Sequence, residues 1–226
     1  MLTVSGLTFS YNRKPLLEAL SFQAAPGECV VLAGPNGSGK STALSLLAGV
    51  LKPDAGSIRA EGRIGYVPQG TALFEDMTVA DNLAFFADLA GAKLPKEFAF
   101  GVGRFLKKKV ASLSGGTKKR VSIVCALLGD PVNLLFDEPC AGLDVQYRDE
   151  LAELILRLKL EGRSVCYVGH ETSEFVSFYD RMVFLGNGKP QVFEKADLSG
   201  TSGNIIEENT KLDSAYRALC AACPKS

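Results

Sequence analysis

The sequence contains no tryptophan and a single histidine, so any histidine chemistry falls to His170. It has no surplus charge: 25 Lys and Arg balance 25 Asp and Glu. A nucleic-acid-binding domain is usually basic, so no nucleic-acid partner is expected beyond what a local basic patch would allow. No apolar run approaches the ~20 residues needed to span a bilayer. Met1-Leu2-Thr3-Val4 lacks a basic stretch followed by an apolar one, so no signal peptide is expected. The chain is expected to be soluble by itself, with any membrane link supplied by a partner. Its six cysteines form no metal-ligand pattern. Most sit in apolar runs, such as Cys29-Val30-Val31, and read as small buried hydrophobes. Cys220 and Cys223 share a C-x-x-C spacing without a second pair, and read as free thiols in a reducing cytoplasm.

Among 226 residues, 46% are hydrophobic and 22% charged, the balance of a folded globular chain. That length suits one large α/β domain with a small inserted subdomain. Strands are expected over 2–11, 20–24, 29–33, 65–67, 133–136, 164–168 and 182–185. The run at 29–33 is continuously apolar, as in a strand buried on both faces, and 133–136 and 164–168 also read as buried strands. Helices are expected over 43–48 and 116–128, and after Asp144, which can cap the next one. Gly162 should end that last helix. Residues 78–109 read as helical with interruptions at Gly91, Pro95, Gly101 and Gly103, giving a helical subdomain over about 76–128. Gly186-Asn187-Gly188 reads as a tight hairpin turn. The tail, about 199–226, is more polar and reads as loosely attached, with a terminal helix over 212–219. Alternating strands and helices predict a mostly parallel sheet covered on both faces, with an antiparallel β part at the N-terminus.

Three segments carry chemistry. Gly34-Pro35-Asn36-Gly37-Ser38-Gly39-Lys40-Ser41-Thr42 contains G-x-x-x-x-G-K-S between a buried strand and a helix. Its glycines let backbone N–H groups turn toward phosphate oxygens, and the helix N-terminus favours an anion. Lys40 should neutralise the β- and γ-phosphates, and Ser41 should ligate Mg²⁺. Second, the strand Asn133-Leu134-Leu135-Phe136 ends in Asp137-Glu138. Asp137 is placed to hold Mg²⁺, and Glu138 to polarise the attacking water. Third, Leu113-Ser114-Gly115-Gly116-Thr117 opens a helix, which makes Ser114 a cap and its neighbours' amides anion donors.

That third segment resembles the signature of ABC (ATP-binding cassette) transporters. The resemblance runs from about residue 2 to 198, and its motifs come in the family's order. It implies a P-loop NTPase fold of the ABC cassette type, with ATP and Mg²⁺ as ligands. It implies that Tyr11 stacks on adenine, although Tyr11 is equally readable as a strand-end aromatic. Gln69 matches the glutamine that reaches Mg²⁺ and the attacking water. Asp144, in Ala141-Gly142-Leu143-Asp144, matches the D-loop at the dimer interface, and His170 the histidine that contacts the γ-phosphate. Ser114, Gly115 and Gly116 would bind ATP held by a second cassette, in a homodimer or heterodimer.

Thr117 stands where the family usually has Gln, Cys140 where Ser or Thr is common, and the stretch from Gln69 to Leu113 is short. Residues 113–121 and 212–219 resemble simple exporters of the ABC-2 type, whose ATPase is a separate chain. The expectation is a cytoplasmic ATPase, peripheral on the inner face of the cell membrane through a transmembrane permease docked near Leu73, Phe74 and Met77. Those three are also readable as core of the helical subdomain. The alternative is a soluble ABC ATPase in cofactor assembly or nucleic-acid- or ribosome-linked work. A catalytically weak regulatory cassette is disfavoured by the intact Lys40, Asp137, Glu138 and His170. A P-loop kinase leaves Leu113-Ser114-Gly115-Gly116 unexplained.

Overall fold

Alternate side chains of the strand Cys29–Ala33 enter two different cores, and the fold follows from that division. The computed structural model describes residues 1–186, 190–200 and 202–223. The proposed turn at Gly186-Asn187-Gly188 therefore lies partly outside the described residues. The strands are β1 (Leu2–Tyr11), β2 (Lys14–Ala24), β3 (Cys29–Ala33), β4 (Ala55–Ala60), β5 (Ile64–Val67), β6 (Asn133–Asp137), β7 (Ser164–Val168), β8 (Arg181–Phe184) and β9 (Gln191–Glu194). The α-helices are α1 (Lys40–Leu47), α2 (Val79–Leu89), α3 (Gly115–Leu127), α4 (Val145–Leu160), α5 (Lys195–Leu198) and α6 (Ile205–Ala221).

A six-stranded sheet has the order β5-β6-β7-β3-β8-β9, parallel except for the antiparallel β8–β9 pair. A second, antiparallel sheet has the order β2-β1-β4. On one face of the large sheet, Cys29, Val31 and Ala33 meet Leu151, Leu154, Ile155 and Leu158 of α4. On the other, Val30 and Leu32 meet α1 and the inward residues of the small sheet, including Leu7, Leu20 and Phe22. Burial on both faces explains why β3 is apolar throughout and why β6 and β7 are apolar between their polar end residues Asn133, Asp137 and Ser164. A third apolar cluster joins Val79 and Leu83 of α2, Val102, Val110, and Val121 and Val124 of α3.

Four expectations are corrected. The second strand begins at Lys14, because it pairs with β1 along nearly its whole length. Strand β4 was not expected: it lies at the edge of the small sheet and is largely exposed, so it lacks an apolar stripe. The tail is not loose. Helix α6 buries Leu212 completely, and Tyr216 Oη donates to the Gly34 carbonyl at 3.1 Å. The 78–109 stretch is helical only over α2. Beyond it come short 3-10 turns at Ala99–Phe105 and Val110–Ser112, broken where Phe100 and Gly101 take left-handed conformations.

Candidate active site

Helix α1 begins at Lys40 directly after the glycine-rich loop, and Gly39 caps it without any side-chain hydrogen bond. Its first-turn N–H groups are left without the usual oxygen acceptor, which suits an anion. Gly34 has φ +147°, and a Cβ there would lie 2.2 Å from the Leu185 carbonyl oxygen. Only glycine lets the loop pass so close to the end of β8. Lys40 is buried and donates to the carbonyls of Gly34 at 2.9 Å and Pro35 at 3.0 Å. Burial lowers its pKa, opposed by the charges of Glu138 and Asp137. Ser38 Oγ is buried without a partner. The loop thus offers a cation and an idle hydroxyl beside uncapped amides.

β6 delivers the carboxylates. Asp137 is buried at the strand end and accepts from Ser41 Oγ at 2.9 Å. Its pKa is raised by burial, with the Ser41 hydrogen bond acting in the opposite direction. Glu138 takes a left-handed conformation, φ 46°, and its N–H donates to the Val168 carbonyl at 3.0 Å. A non-glycine residue in that region is strained, and the strain turns Glu138 off the strand. Its Oε2 accepts from Gln69 Nε2 at 2.6 Å and lies 2.9 Å from His170 Nε2. Gln69 follows β5 and His170 follows β7, the two neighbours of β6. Sheet order therefore brings the three together.

Gly34, Pro35, Lys40, Ser41, Gln69, Asp137, Glu138 and His170 form two linked clusters, with Asp137 and Glu138 adjacent in the chain. Asn36, Gly37 and Thr42 belong to the same loop and helix. The other candidates lie apart. Ser114 caps α3, accepting from the Thr117 N–H, and its Oγ meets Thr117 Oγ1 at 2.9 Å. Thr117 thereby supports the cap. Ser114 and Gly115 are exposed, and among the described residues no side-chain hydrogen bond ties Ser114 to either cluster. Asp144 caps α4, accepting from the Tyr147 N–H at 2.8 Å. Tyr11 is half exposed and packs edge-on against Phe9.

Sequence reasoning missed several supports. Lys119 donates to the backbone on either side of Gln69. Tyr167 Oη donates to buried Glu174 at 3.2 Å and to Cys140 Sγ at 3.6 Å, beneath the turns that carry Glu138 and His170. Tyr216 braces Gly34. None has a local signature, since each is a contact between distant segments.

A glycine-rich loop between a buried strand and a helix, opposite an acidic strand end, defines a nucleoside triphosphatase of the P-loop class. Residues 17–141 match the family described as ABC transporter. The chain is 37% identical to the Nod factor export ATP-binding protein I of Paraburkholderia xenovorans, over 80% of its own length and 66% of that protein's. It is 36% identical to a molybdate/tungstate import ATP-binding protein of Thermococcus kodakarensis, over 84% of its own length and 63% of that protein's. The chain thus spans about two thirds of those relatives. A solved ATP-binding subunit of an ABC transporter superposes with a TM-score of 0.84 at 28% identity, covering 97% of this chain and 99% of that one. The chain belongs to the ABC transporter family, as one of its ATP-binding, ATP-hydrolysing subunits.

Proposed function

We propose that two cassettes close over two ATP molecules and that closure drives a separate membrane permease. The observation that carries this reading is Glu138 Oε2, held at 2.6 Å by Gln69 and 2.9 Å by His170 beside the Ser41–Asp137 pair. Lys40 leaves the Gly34 and Pro35 carbonyls for the β- and γ-phosphates, and the α1 amides and Ser38 complete the cradle. Tyr11 stacks on adenine. Ser41 Oγ, the Asp137 carboxylate and the Gln69 amide oxygen are hard oxygen donors, the set that fits Mg²⁺. When bound, Mg²⁺ neutralises charge on the β- and γ-phosphate oxygens. Glu138 orients the attacking water and takes its proton at Oε2 as the oxygen joins the γ-phosphorus and ADP departs. His170 contacts the γ-phosphate. Ser114, Gly115 and Gly116 of a second cassette supply amides to the same phosphate, and Asp144 lies at the interface between the two.

Among the described residues no helix is long and apolar enough to cross a membrane. In this reading the permease enters as a partner. Of the three residues expected to receive it, Phe74 is exposed, while Leu73 packs partly on the helical cluster and Met77 is half-buried. Phe74 meets Phe85 edge-on at 4.9 Å. Nearby, Phe86 and Leu89 line a cleft of about 380 Å³ with Tyr66 and Cys125. An apolar rim on such a cleft suits a short helix of the permease. The relatives include one named for export and one named for import, which supports assigning direction and substrate to the permease.

A tagged copy purified from detergent-solubilised membranes of its host tests the reading. A stoichiometric polytopic membrane protein is expected. A soluble assembly factor or ribosomal material would keep the ATPase and overturn the transport reading.

A further inference from the structure

Lys119 lies on α3, five residues beyond the Ser114 cap, and is 6% exposed. Among the described residues it forms no ion pair. Its ammonium donates instead to three successive carbonyls: Pro68 at 2.7 Å, Gln69 at 2.9 Å and Gly70 at 3.5 Å. All three belong to the turn that leaves β5 and carries the Gln69 side chain to Glu138. Burial pulls its pKa down to about 8, opposed by the nearby Asp137, Cys140 and Glu138.

A buried ammonium is retained only where hydrogen bonds replace its water shell. Three carbonyls satisfy the three donors of a lysine, and their dipoles, which would repel one another, gain a common cation. The same helix sends Val121 and Val124 into the helical cluster. One side chain therefore joins the helix opened by Ser114, Gly115 and Gly116 to the backbone of a residue touching Glu138.

We propose that Lys119 is a positioning residue for Gln69: it fixes the turn that aims the Gln69 amide and makes that aim follow any displacement of α3. This rests on the role given to Gln69 above. The amides at the start of α3 and the amide nitrogen on Glu138 then move as one unit.

The test is a double-mutant cycle on the full chain, with Lys119→Met, Gln69→Ala and the double variant. ATP affinity is read by calorimetry and turnover by steady-state kinetics. Lys119→Met should leave ATP affinity within about twofold and lower kcat about 10- to 100-fold, the scale of a misplaced reacting group. In the Gln69→Ala background it should lower kcat no further, because the two act as one. Should Lys119→Met fail to fold, Lys119→Gln, which keeps an amide donor, is put through the same cycle. Losses that multiply in the double variant, or equal losses of affinity and turnover, overturn the inference while leaving the role of Gln69 intact. A Gln69→Ala variant with wild-type kcat overturns that role and the inference with it.

Discussion

Ser41 Oγ donates a 2.9 Å hydrogen bond to Asp137 Oδ1, joining the first turn of α1 to the end of β6 across 96 residues of sequence. It places the phosphate loop and the acidic strand end on one side of the sheet.

Lys40→Ala removes the one side-chain cation of the loop. Two charge-assisted hydrogen bonds of about 1.5–3 kcal/mol each are lost to the phosphates. ATP affinity in titration calorimetry should fall by roughly 100-fold or more. Unchanged affinity would contradict the assignment of Lys40.

Gly34→Ala places a Cβ 2.2 Å from the Leu185 carbonyl oxygen and 2.8 Å from Ser38 Oγ. Backbone strain and overlap together should lower stability by about 3 kcal/mol or more. A thermal midpoint equal to wild type would show that the loop can move away from β8.

Tyr11→Ala should weaken ATP binding by about 1–3 kcal/mol, the value of one aromatic–base stack. The thermal midpoint should barely change, because Tyr11 is 50% exposed. The opposite pattern, lost stability with intact affinity, would make Tyr11 a packing residue.

Glu174 gives a pH dependence. Burial raises its pKa above the usual 4.5, and the Tyr167 hydrogen bond only partly offsets this. A carboxyl with a raised folded-state pKa contributes stability below its unfolded pKa, and that stability is lost as pH rises through the folded value. Glu174→Gln cannot ionise. Its thermal midpoint should gain on wild type as pH climbs from 4 toward 7. A constant difference across that window would show that Glu174 titrates normally.

The strands β3, β6 and β7 were legible because burial on both faces leaves polar residues only at their ends, and the chemistry was legible because it lies there. Ser41, Asp137, Glu138 and His170 lie at or just beyond the ends of such strands and Gln69 just beyond the neighbouring β5, so the sheet brings them together. Strand β4 was hidden because an exposed edge demands no apolar alternation. Lys119 and Tyr216 were hidden for a different reason. Both donate to main-chain carbonyls, and a carbonyl leaves no mark on the side-chain sequence. The docking of α6 was hidden too: its buried residues are Leu212 and the charged Glu208, which pairs with Lys195, and Tyr216 and Leu219 are only partly buried against the core.

Replacing Glu138 with Gln tests the central claim, a site completed by a second chain. The substitution keeps the size of the side chain and removes the base, so turnover should fall by about 10²- to 10⁴-fold. The variant is examined by size-exclusion chromatography with light scattering, with and without Mg²⁺ and ATP. One chain's mass is expected without nucleotide and two with it, the larger species disappearing when Ser114 is also changed to Arg. A Glu138→Gln variant that binds ATP yet keeps the mass of one chain, or that hydrolyses ATP at the wild-type rate, would contradict the claim.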